Sequence, residues 1–160
     1  MKIISVDVTV FSYPTRRVSD TAGHSHPGAE SLAKMAMLTL TTDEGDCGYA
    51  FAPPEVIRPH IINSFFKKVL IGLNQFDRER LWNDLVHWQR GSANQLTDRA
   101  LAIAEQAIWD LLGRKLGQPV YKLLGGYRDK VLAYGSTMCG DELAGGLSTP
   151  DEYARFAEQL

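Results

Sequence analysis

AIWDLLGRKLGQPVYKLLGG, residues 107–126, reads as the end of a buried helix, a stop, a restart and an exit. Asp110 stands four residues before Arg114, a favourable pairing on a helix surface. Arg114 and Lys115 suit the negative end of the helix dipole, Gly117 fits a left-handed cap, and Pro119 forbids continuation. Upstream, Ala100, Ile103, Ala104, Ala107, Ile108, Leu111 and Leu112 recur at helical spacing, which predicts a helix over 98–116. Its small residues let a neighbouring element approach closely.

Before that helix, the pattern predicts two more, over 55–70 and 77–89. Phe76, Arg80, Asp84 and His87 share a line in the second, beside Leu81, Leu85 and Trp88. At the N-terminus Ile4, Val6, Val8 and Val10 alternate with polar residues, the period of a half-buried strand. A second strand is predicted over 33–42, and Asp43-Glu44-Gly45 turns into a third over 47–51. The result is a three-stranded antiparallel meander with one long interruption. Residues 14–31, PTRRVSDTAGHSHPGAES, have no periodicity and read as a loop; loops of that length are usually functional or disordered.

After Gly125-Gly126 the pattern changes. Residues 130–136 (KVLAYGS) predict a short apolar strand with no hairpin partner. Thr149-Pro150-Asp151-Glu152 is a capping box with proline at the first helical position, followed by Tyr153, Phe156, Ala157 and Leu160 at helical spacing. This is the opening of a β/α unit. A parallel sheet needs a second strand, and none follows.

Composition narrows the partners. Hydrophobic residues make up 44% and charged residues 22%, the balance of a globular domain, with a net charge of −2. No basic block offers nucleic acid a footprint, and no apolar run reaches the ~20 residues that span a bilayer. The first residues alternate like a strand and lack the apolar region of a signal peptide. Cys47 and Cys139 stand in no metal or redox spacing. Two free thiols in a reducing cytoplasm are expected, with no nucleic-acid or membrane partner.

The pattern Ala100, Glu105, Ala107, Asp110, Leu111, Gly113, Arg114, Pro119, Val120 and Leu123-Leu124-Gly125 resembles the signature of the mandelate racemase/muconate lactonizing enzyme family of the enolase superfamily. Ala104 and Ile108 depart mildly from it. The order of elements is also similar: a meander, a helical bundle, then the start of a barrel. The resemblance implies an α+β fold, with an enolase-type N-terminal capping domain over residues 1–127. Residues 128–160 then form the first β/α unit of an incomplete TIM-like barrel. A full (β/α) barrel takes about 250 residues, so the chain reads as a piece of a longer one.

Members of that family abstract the proton α to a carboxylate. The resulting enediolate is stabilised by a Lys or His base working with Mg²⁺. In the family those groups come from later barrel strands, so no catalytic residue or metal ligand is carried over to this sequence. Mg²⁺ is expected only of the full-length enzyme. What is carried over is substrate recognition, by two cap loops that correspond to residues 15–31 and about 52–56. Arg16, Arg17, Ser19, Asp20, Thr21, His24, Ser25 and His26 make the first loop rich in donors, which suits a polyhydroxylated acid.

Arg17, His24 and His26 are the substrate-contact candidates there, with Tyr134 and Ser136 at the end of the first barrel strand. Barrel-interior packing is the competing role for Tyr134 and Ser136. His24-Ser25-His26 has the spacing of a metal pair but no third ligand near it in sequence. His60 and His87 read as structural, and Trp82, Trp88 and Trp109 as core or subunit interface. The expected function is the capping portion of a Mg²⁺-dependent acid-sugar dehydratase, homo-oligomeric, with a small sugar-acid carboxylate as substrate. The alternatives are a racemase or epimerase of the same family, or an inert cap serving binding or assembly.

Overall fold

The computed structural model describes residues 1–19, 21, 25–134 and 147–159. It divides into two compact units, one of Met1–Phe11 with Lys34–Tyr127 and one of Ser12–Ala33 with Arg128–Leu160. The sheet is three-stranded, in the order β1 (Ile3–Ser19), β2 (Ser25–Thr42), β3 (Cys47–Ala52). Strands β2 and β3 pair antiparallel, with Ala36 opposite Ala52, Leu38 opposite Ala50 and Leu40 opposite Gly48. These six share the buried face of the pair.

Two sequence expectations about the strands are corrected. Residues 14–31 are not an irregular loop; most of them extend β1 and β2 into a long hairpin. Alternation marks a strand only when one face is buried, and residues 29–32 are all exposed. Pro14 lies in β1, an edge strand, and Pro27 lies in the part of β2 beyond the residues paired with β3. In β1 the inward residues are Ile3, Val6 and, partly buried, Val8, as the alternation expects for the two valines, while Ile4 and Val10 are each 55% exposed. The alternation slips by one residue between Ile3 and Val6. Ile3 is fixed there by backbone bonds with the turn at residues 72–73, its N–H donating to Leu73 and its carbonyl accepting from Gly72.

The helices follow: α1 (Pro59–Ile61), a π-helical turn (Ile62–Phe66), α2 (Lys67–Leu70), α3 (Arg78–Arg90), α4 (Asp98–Leu116), α5 (Val120–Leu123) and α6 (Pro150–Ala157). The first three form one run, beginning four residues later than the sequence suggests. A residue before proline is pushed to extended backbone, and Arg58 has ψ 155°. Helix α4 matches its predicted bounds. Thr97 caps its start through Ala100 N–H, and Gly117 ends it in the left-handed region at φ 61°.

Helix α4 presses Ala100, Ala104, Ala107, Ile108 and Leu111 onto the core beneath the sheet. Gly48 sets how close β3 and α4 can come: a Cβ there would lie 2.4 Å from both the Ala107 carbonyl oxygen and Leu111 Cβ. Glycine on β3 and alanine on α4 are therefore one packing decision. The remaining core comes from the Pro59–Leu70 run (Ile61, Ile62, Phe65, Phe66, Val69, Leu70) and from Leu81 and Leu85 of α3.

In the second unit, α6 opens with the expected capping box. The Thr149 hydroxyl accepts Glu152 N–H, and the Glu152 carboxylate accepts from the backbone and hydroxyl groups of Ser148 and Thr149. Those bonds, led by the one from Ser148 N–H, hold the Glu152 carboxyl down at about 2. The strand expected over 130–136 is corrected as far as residues 130–134 go. They form no ladder, because no neighbouring strand pairs with them. Its last two residues lie outside the described residues.

Candidate functional site

The hairpin carries the first group of candidates. Arg16 lies 3.9 Å from Glu30 of β2, an exposed pair. Its neighbour Arg17 is exposed and makes no ion pair among the described residues. Successive residues of a strand point to opposite faces, so the pairing of Arg16 leaves Arg17 as the uncommitted guanidinium. His26 falls within β2, though its side chain lies outside the described residues, as do His24 and Ser136 altogether. Tyr134 is 90% exposed, without regular structure around it. Arg17 and Tyr134 belong to the same compact unit.

The other cap segment leads into a cavity within the first unit. It measures about 300 Å³ and is lined by Glu55, Val56, Arg58, His60, Ile61, Asn94, Gln95 and Thr97. His60, expected to be structural, is exposed on its wall. The far wall is a turn in which Ala93 (φ 49°) and Asn94 (φ 65°) are both left-handed. Such a conformation costs a non-glycine residue roughly 1–3 kcal/mol and persists only when the surroundings impose it. Ser92, almost fully buried, imposes it. Its hydroxyl donates to the Gln89 carbonyl at 2.7 Å and accepts Leu96 N–H at 3.1 Å. Sequence reading missed Arg58 and Asn94. The available signals were the arginine before Pro59 and the polar run from 91 to 97.

The signature residues of α4 are structural in this chain. Asp110 accepts Tyr49 N–H at 2.8 Å and Arg114 Nε at 2.6 Å, and the Arg114 guanidinium lies 4.9 Å from the Tyr49 ring centre. Hydrogen bonding to Asp110 raises the Arg114 pKa further. Glu105 bonds Arg78 at 3.2 Å, and that guanidinium lies over Trp109 at 4.6 Å. Gly113 is needed because a Cβ would lie 2.9 Å from the Gln118 carbonyl oxygen. Lys115 reaches Glu44 at 2.7 Å and Asp46 at 2.9 Å, which pushes its pKa up to about 12.

Trp82 packs against the core, and Trp88 is half exposed against Phe65. His87, read as structural, donates from Nδ1 to the Asn83 carbonyl at 2.8 Å. Among the described residues, no three His, Cys, Asp or Glu side chains converge on a point that could hold a metal. No helix among these residues is long and apolar enough to cross a membrane.

Residues 6–125 match the model of the mandelate racemase/muconate lactonizing enzyme N-terminal domain. The chain belongs to that family. A solved structure of D-glucarate dehydratase from Agrobacterium tumefaciens, complexed with magnesium, superposes with a TM-score of 0.88 at 64% identity, covering 100% of this chain and 42% of the other. A D-mannonate dehydratase of Rhizorhabdus wittichii is 33% identical over 76% of this chain and 30% of its own length. An L-Ala-D/L-Glu epimerase of Bacillus subtilis is 26% identical over 99% of this chain and 41% of its own. The chain thus spans less than half the length of each of these relatives, and an enolase-superfamily capping fold is shared with them.

Proposed function

We propose that this chain is the substrate-recognising capping portion of a Mg²⁺-dependent acid-sugar dehydratase of the cytoplasm, which removes water after abstracting the proton α to a carboxylate. The observation that carries the reading is the 64% identity, along the whole chain, to a D-glucarate dehydratase crystallised with magnesium. Residues 1–127 are the cap, and residues 128–160 begin the barrel. The metal ion, when bound, supplies charge stabilisation to the developing enediolate, and its ligands lie outside the residues described above.

In this reading Arg17, His24, His26, Tyr134 and Ser136 contact the substrate. A guanidinium without a carboxylate partner matches a distal carboxylate bidentately, whereas Arg16 is already committed to Glu30. The epimerase relative keeps a second reading open, in which the abstracted proton is returned to the other face.

The two separate in one experiment. The longer protein that carries this chain is incubated with Mg²⁺ and D-glucarate in deuterium oxide, and products are followed by mass spectrometry and proton NMR. Loss of water with formation of a keto-deoxy acid is expected. Exchange at the α-carbon with inversion and no loss of water would establish the epimerase instead, and no reaction across a panel of sugar acids would sink both.

A further inference from the structure

The cavity lined by Glu55, Arg58 and Asn94 holds a positive and a negative side chain that do not neutralise each other. Glu55 and Arg58 both line it, and among the described residues neither side chain makes an ion pair or hydrogen bond. Arg58 is kept out of the helix by Pro59, in extended backbone, and makes no capping bond. The opposite wall is preformed, since the buried Ser92 hydroxyl fixes the left-handed turn that presents Asn94. Ile61, buried, and Val56 supply apolar surface among these polar groups. A small concavity with convergent polar groups, one wall of which is held by internal hydrogen bonds, suits a small polar molecule.

We propose that this cavity binds a zwitterionic aminocarboxylate, such as a free α- or ω-amino acid, with its carboxylate on Arg58 and its ammonium on Glu55. The guanidinium fork matches a carboxylate, and an ammonium offers only donors to an acceptor-only carboxylate. A ligand with one charge satisfies one of these side chains and is repelled by the other; a zwitterion satisfies both. Asn94 and Gln95 can each donate and accept, so they serve either end of the ligand. The proposal uses none of the hairpin residues and does not depend on the dehydratase reading.

The test is an amide-shift titration of the isotope-labelled full chain with glycine, β-alanine and γ-aminobutyrate, using butyrate and butylamine as single-charge controls. Saturable shifts confined to residues 55–61 and 93–97 are expected from at least one zwitterion and from neither control. Arg58→Gln and Glu55→Gln, both at exposed positions, should each weaken that binding at least about tenfold, while Arg17→Ala leaves it unchanged. The proposal is overturned if no zwitterion saturates, if butyrate or butylamine perturbs the same amides equally, or if both variants keep full affinity. Any of these results leaves the turnover assay of the longer protein unaffected, so the two readings fail separately.

Discussion

Asp110 and Tyr49 stand 61 residues apart in sequence, and the carboxylate of the first accepts the backbone N–H of the second at 2.8 Å. Tyr49 lies on β3, the outermost strand on its side of the sheet, so this bond occupies an edge donor that would otherwise face water or another chain. The same oxygen holds Arg114. Asp110→Ala should therefore cost about 1.5–3 kcal/mol in urea unfolding, the range for a lost charge-assisted bond. Asp110→Asn, which keeps an acceptor, should cost less. Arg114→Ala removes an exposed ion pair and the contact with the Tyr49 ring but leaves the Tyr49 N–H bond in place, and should cost less than Asp110→Ala. An Arg114→Ala loss equal to that of Asp110→Ala would place the stabilisation in the ion pair rather than at the strand edge.

Gly48→Ala should destabilise by about 1–3 kcal/mol or more, because its Cβ meets backbone and Cβ atoms that cannot swing away. Gly45→Ala is the comparison. Nothing lies within 4 Å of a Cβ there, and the penalty comes only from φ 86°. Thermal melts of the two variants separate packing from backbone strain. A Gly48→Ala protein as stable as the parent would mean that α4 is free to move off the sheet.

Lys115 gives a prediction at high pH. Its folded pKa is raised from 10.5 to about 12, first by Glu44 and then by Asp46. The stabilisation is complete below 10.5 and should be lost as pH rises through about 12. Lys115→Met should flatten that part of the stability profile, measured by denaturant midpoints across the window. An unchanged slope would show that the lysine contacts do not survive in solution.

The Glu152 carboxyl behaves in the opposite sense. Its folded pKa is lowered from 4.5 to about 2, so its contribution is present above 4.5 and lost as pH falls towards 2. Amide protection over residues 151–157, taken as exchange relative to the intrinsic rate at each pH, should fall in that window. Thr149→Ala, removing the cap, should cost α6 about 1 kcal/mol at neutral pH. Protection that stays constant between 4.5 and 2 would count against the cap.

Within the proposed function, Arg17→Ala in the longer protein should lower kcat/KM by roughly ten- to 150-fold, the equivalent of one charge-assisted hydrogen bond. Arg16→Ala should change it little, since its guanidinium is already paired with Glu30. Mg²⁺ affinity should be the same in both. Equal, small effects of the two would mean that the hairpin is solvated surface.

Helix α4 was fully legible because its determinants are local: small apolar residues at helical spacing, a threonine cap, and a glycine that must take φ 61°. The capping box of α6 was legible for the same reason. What escaped depends on distant partners. Nothing near Gly48 in sequence announces Ala107, and nothing near Asp110 announces Tyr49. The hairpin escaped because strands exposed on both faces carry no alternation, and Ile4 was misplaced because Ile3 is anchored by Gly72 and Leu73. At the site, the distinction between Arg16 and Arg17 depends on the strand geometry of that same hairpin. The identity of the partner, Glu30, was not legible.

The π turn at Ile62–Phe66 gives this fold an unusual place to vary in length. A π turn holds more residues than an α turn over the same rise, and Asn63 within it is exposed while Ile62, Phe65 and Phe66 are buried. Deleting Asn63 would let the run from Pro59 to Leu70 close as a plain α-helix, with the apolar groups on either side still turned inward. Insertions and deletions are ordinarily absorbed by surface loops. In this protein one can be absorbed in the middle of a core helix, and an alignment gap there would record a change of helical pitch rather than a lost or gained loop.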